Sequence, residues 1–197
     1  MRLSAFIPEW QIGSRDIAVP VVGEPFHRVL VFSSDDGNPA MHYGSFGQEV
    51  AVAATATPLT EHPGGVRGAF PTELRCAGFS LYWDAPHRVS GEGTFTGIVS
   101  TSGDGAAPTS FPQVRGSVDS LAIVSLLFAS AYPGSRAWAP VPGNQQQFRL
   151  VDSYPPWQPT EDSLVSPQRK VTGVLVIVDT GARPAANQSS ASKSRAA

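Results

Sequence analysis

Apolar positions recur along this chain mainly at the two-residue period of strands. Phe26-His27-Arg28-Val29-Leu30-Val31-Phe32 is rich in β-branched and aromatic residues. It runs into Ser33-Ser34-Asp35-Asp36-Gly37-Asn38-Pro39, a dense turn signal. From Glu49 to Thr57, Val50 and Val52 face one way and small residues fill much of the rest. Further strands are predicted over Leu74–Trp83, Thr94–Ser100, Val114–Ser125 and Gln147–Asp152. In Val171–Asp179 both faces are apolar, the pattern of a central strand covered on both sides. Ile17–Val22 reads as a weaker strand, at an edge or a bulge, because Pro20 cannot donate to a ladder.

Helical signals are sparse. The best candidate is Ser120–Ala131, behind a possible Asp119 cap, but its β-branched residues and missing polar face leave helix and strand both open. Eight or nine short strands punctuated by Gly and Pro turns predict an all-β fold. Its core is barrel-like or a sandwich, with at most one short helix. The expected organisation is one domain over residues 1–180. It contains a Pro- and aromatic-rich segment at 132–160 and is followed by a tail at 181–197 too small and polar to order itself.

Composition narrows the class without choosing a function. At 197 residues and 41% hydrophobic, the chain can bury a sizeable core. Gly 19 and Pro 18 stand above the usual share but below that of low-complexity sequence. Lys+Arg 14 against Asp+Glu 16 compels neither a nucleic-acid nor a membrane partner. Arg183, Lys193 and Arg195 fall in the acid-free tail, so the body is more acidic than the whole. The N-terminus lacks a long apolar run, and Leu121–Tyr132 is too short for a bilayer that takes about twenty residues. The expected location is therefore cytoplasmic, with no membrane partner.

Chemistry is hard to find. Cys76 is the only cysteine, which excludes an intrachain disulfide, and its apolar neighbours suggest a buried structural thiol. His27, His42, His62 and His87 lack metal-ligand spacing, so neither metal nor cofactor is expected. Gly91-Glu92-Gly93 has no helix after it to receive a phosphate, and no serine sits in a G-x-S-x-G elbow. Glu61-His62 and Asp84 with His87 are the local acid–His pairs, the basis of a third-ranked hydrolase reading.

Binding fits the sequence better than catalysis. Trp138, Tyr154 and Trp157 lie among the prolines of residues 132–160, with Arg136 and Arg149 as polar neighbours. Rigid rings lose little entropy on binding and dominate recognition surfaces. The leading expectation is thus a non-catalytic module that recognises a protein or small ligand through this surface. The alternative is a small barrel of the OB type that stacks single-stranded nucleic acid. Arg75, Tyr82, Trp83 and Arg88 would supply its rings and cations. The acidic body opposes it, since such affinity rests on phosphate neutralisation.

Trp10, Val22-Gly23-Glu24-Pro25-Phe26, Glu61-His62-Pro63 and the closing Gly173–Asp179 run carry a resemblance. In these stretches the chain resembles a family of small β-rich bacterial proteins of unknown function. The resemblance implies no catalytic residue.

Overall fold

A computed structural model describes residues 1–34, 47–60, 67–103, 106–130, 138–141, 147–154 and 167–181. The described chain is all-β apart from one short helix. The elements are β1 (Arg2–Pro8), α1 (Glu9–Gly13), β2 (Pro25–Arg28), β3 (Leu30–Ser33), β4 (Glu49–Pro58) and β5 (Phe70–Arg75). They continue with β6 (Ser80–Ala85), β7 (Gly91–Thr101), β8 (Val114–Ser130), β9 (Trp138–Pro140), β10 (Gln147–Val151) and β11 (Gln168–Asp179).

Five of these strands close a mixed barrel. β4, β5 and β6 pair antiparallel in sequence order, β6 runs parallel to β3, β3 is antiparallel to β7, and β7 returns to β4. β4 shows why the sequence folds this way. Its buried positions Val52, Ala54 and Ala56 alternate with exposed Ala53, Thr55 and Thr57. The small alanines leave room for bulky rings, as a narrow barrel interior requires. Trp83 fills that interior edge-to-face with Phe32 at 5.4 Å and with Phe95 at 5.7 Å. Gly97 is needed where β3 crosses β7: a Cβ there would lie 2.3 Å from the Ser33 carbonyl oxygen.

The remaining strands extend the sheet beyond the barrel. β1 meets β7 at Phe6↔Ser100, β11 pairs antiparallel along β1, and the long β8 pairs along β11. The other edge of β8 is tiled by β2, β10 and β9 in turn. Both faces of this extension are apolar. Val174 and Val176 face the main core, while Leu175 joins Phe6, Ala122 and Val124 in a second cluster.

Several expectations change. The helix candidate at Ser120–Ala131 is strand β8 up to Ser130, and the one described helix lies at Glu9–Gly13. The ladder passes from Ile177↔Ser120 to Val178↔Val118, so Asp119 is an extra residue in a β-bulge. The bulge shifts the alternation by one residue. Val114, Val118, Leu121 and Ile123 therefore all reach the same core, at a spacing that imitates a helical stripe. The run Phe26–Phe32 is two strands, because the chain passes at Val29 from the β8 edge to the barrel. Leu74–Trp83 holds a hairpin turn, closed by Cys76 N–H donating to Phe79 O at 2.8 Å with Gly78 at φ 97°. Ile17–Val22 forms no strand, and only Val21 makes a bridge, to Ser153. The predicted turn at 35–39 and tail at 182–197 lie outside the described residues.

Candidate functional site

A recess lies beside the stretch that failed to become a strand. After α1 the chain runs outward through residues 17–21, turns, and comes back as β2. Glu24 N–H donates to Val21 O at 3.2 Å, and Gly23 sits at φ 87°. A positive φ at the third residue marks a type II turn and favours glycine. Hairpin ladders favour turns of the opposite hand, because a type II turn splays the strands it joins. The turn's backbone bonds elsewhere instead. Val22 N–H donates to Asp152 O, Gly23 N–H to Val118 O, and Val118 N–H to Glu24 O.

The two arms therefore stand apart and leave a half-open cleft of about 490 Å³. Ile7, Ile17, Phe26 and Val118 give it an apolar lining, and Glu24 and Arg28 also border it. The volume lies within the range of small-molecule sites, and the exposed surface of the cleft is about as polar as it is apolar. Glu24 closes the turn, Phe26 and Arg28 follow on β2, and Pro25 and His27 border the recess as well. Extended spacing puts the Cα atoms of Glu24 and Arg28 about 13 Å apart, with Phe26 between them. Neither forms an ion pair among the described residues. One Arg28 Nη1 bond goes to the carbonyl of His27 at 2.9 Å. A carboxylate and a guanidinium so spaced can hold the ends of a molecule but do not converge on one reacting atom.

The residues singled out from the Pro- and aromatic-rich segment do not converge. Trp138 is half-buried on β9, and Lys170 Nζ lies 4.3 Å from its ring centroid. Arg149 is exposed on β10. Tyr154 is buried in the main core, which removes it from a contact surface. Burial raises its phenol pKa, and the charge of Glu9 adds to the effect. Arg136 and Trp157 lie outside the described residues.

The nucleic-acid constellation loses its rings. Tyr82 and Trp83 do point to opposite faces of β6, yet both faces are covered. Trp83 fills the barrel, and Tyr82 lies under Ala107 and Phe111, with the Phe111 ring at 5.6 Å. Residues 106–111 thus cover Tyr82 on the outside of the parallel β3–β6 pair, and among the described residues neither ring of β6 is left for a base to stack on. Arg75 and Arg88 are exposed. Arg75 donates to Glu73 Oε2 at 3.0 Å, so its charge is already paired.

The acid–His readings gain nothing from the geometry. Glu61 and His62 lie outside the described residues, and Asp84 accepts the Tyr82 hydroxyl at 2.8 Å while His87 is exposed. Among the described residues no group of three His, Cys, Asp or Glu stands close enough to hold a metal. Cys76 is buried, and burial pushes its thiol up to about 11. It donates weakly to Leu74 O, as expected of a structural thiol.

Sequence reasoning missed Ile7, Ile17, Glu24, Phe26, Arg28 and Val118 as site residues. The one available signal was Pro20-Val21-Val22-Gly23-Glu24-Pro25, a turn with a proline on each side. Among the described residues no helix is long and apolar enough to cross a membrane. In comparisons with family models, curated proteins and solved structures, the chain matches none.

Proposed function

We propose that this protein is a non-catalytic binding module that takes a small ligand with an apolar body into the cleft beside β2. The observation that carries the reading is the half-open space of about 490 Å³ lined by Ile7, Ile17, Phe26 and Val118, with Glu24 and Arg28 at its border. Burying an apolar ligand there gains about 25 cal/mol for each Å² removed from water. The lining side chains are already packed into the core, so little ordering opposes binding.

The recognition surface in this reading is the 17–28 excursion rather than the Pro- and aromatic-rich segment. Trp138 already has a cation over its ring, and Tyr154 belongs to the core. The test uses octanol as a neutral apolar probe, followed by calorimetric titration. Ala18 borders the cleft from an exposed position, so Ala18→Trp fills the space without disturbing buried packing. Saturable octanol binding to the natural chain, lost in A18W at unchanged melting temperature, supports the reading. Binding that is absent, or equal in both proteins, refutes it.

A further inference from the structure

We infer that the cleft selects a small zwitterion with an apolar body, its anionic end at Arg28 and its cationic end at Glu24. The inference rests on the cleft being a binding site and adds the class of ligand. Its basis is the placing of a carboxylate at the end of the turn and a guanidinium at the end of β2, with the Phe26 ring between them in the chain. All three border the same recess. Glu24 is exposed and Arg28 half-exposed, so both charges stay hydrated in the empty protein and no burial penalty forces them together.

Charge matching then separates ligand classes. A simple fatty anion gains from Arg28 but meets the carboxylate of Glu24. A fatty amine gains from Glu24 but meets the guanidinium. A neutral amphiphile uses only the apolar lining. A molecule with opposite charges at its two ends satisfies both groups at once, while its middle lies against Phe26. The separation of the two Cα atoms, about 13 Å on an extended chain, suits an extended ω-amino acid. Two charges on adjacent atoms would not span it.

The experiment compares 8-aminooctanoate, octanoate, octylamine and octanol by calorimetric titration at low salt, where exposed charges are least screened. For an exposed ion pair near the strong end of its range, each matched charge gives about fivefold in affinity. 8-Aminooctanoate is therefore expected to bind at least fivefold more tightly than octanoate or octylamine. Glu24→Gln removes its advantage over octanoate, and Arg28→Met, which keeps an apolar stem, removes its advantage over octylamine. Unchanged melting temperatures show that both variants fold. If octanol binds in an A18W-sensitive way but 8-aminooctanoate shows no advantage, the zwitterion inference fails and the cleft reading stands. If an advantage appears but survives both substitutions, it does not come from these residues and the inference also fails. If no probe binds, both readings fall.

Discussion

Gly97 is the most demanding position in the barrel, and replacing it with alanine puts the closure to a quantitative test. The new Cβ would stand 2.3 Å from the Ser33 carbonyl oxygen and 2.7 Å from the Phe32 ring. The nearer atom is backbone, so no side-chain rotation relieves the contact. β3 must move away from β7 until that distance reaches at least 3.0 Å. Ser33↔Ile98 and Val31↔Ser100 are the ladder pairs that would stretch. Overpacking of this kind costs about 1–3 kcal/mol. Each weakened ladder bond adds about 1 kcal/mol, and the gain of a side chain in a strand returns about 0.5–1 kcal/mol. The net expectation for Gly97→Ala is a loss of about 3 kcal/mol. For a chain of this length that lowers the melting temperature by roughly 6–12 °C. Gly93, four residues earlier on β7, is the control. A Cβ there meets only the far end of the Phe95 ring, at 3.4 Å. Gly93→Ala should shift stability by less than about 1 kcal/mol. Urea unfolding followed by tryptophan fluorescence measures both. Equal stability of the two variants would show that β3 does not close on β7 at this distance.

Four further outcomes follow from the same structure. Gly23→Ala puts a side chain at φ 87° and should cost about 1 kcal/mol in urea unfolding; unchanged stability would show that the turn does not need a positive φ. Cys76 should resist a thiol reagent at pH 8 until the chain unfolds, since it is buried with its pKa near 11; rapid labelling of the folded protein contradicts this. Tyr82 has its phenol pKa raised by burial and by the carboxylate of Asp84, which accepts a hydrogen bond from its hydroxyl. The folded state then holds a proton that the unfolded state releases near pH 10, so this contribution is complete below about pH 10 and declines above it; a Tyr82→Phe variant whose stability falls as steeply in alkali as the natural chain's would refute that assignment. Leu150 is 79% exposed on β10, so Leu150→Ser should change stability by less than about 0.5 kcal/mol, and a larger loss in urea unfolding would place it against something.

The legible parts of the fold are those where one physical rule acts alone. β4 alternates cleanly because one face meets the barrel interior and the other meets water. β11 reads as central because both of its faces are covered. Legibility fails where two rules share a stretch. In β8 the bulge at Asp119 shifts the phase of the alternation, and the apolar spacing becomes helical in appearance. Across Phe26–Phe32 the composition is continuous while the partners change, and partner choice is a long-range property. The turn at Cys76–Phe79 was visible in Gly78, but the strongly apolar residues around it outweighed that single signal. Tyr82 and Trp83 are adjacent in a strand, so alternation alone puts them on opposite faces. What composition could not show was that residues 106–111 fold back over the outer one.

The cleft shows the same division more sharply. That Pro20 weakens its segment as a strand can be read from one residue, because a missing N–H is a local fact. That the chain reverses at Gly23 is local too, since the turn needs its positive φ. What the two arms do next is not local. A type II turn splays the strands it joins, and the unpaired arms must bond elsewhere. Here they bond to β8 and to residue 152, and the space between them becomes a walled recess. The residues that line it are ordinary core and strand side chains with no catalytic signature, so a search for reactive groups passes over them. A recess made where two arms fail to pair is better sought from the turn that joins them than from the side chains they offer.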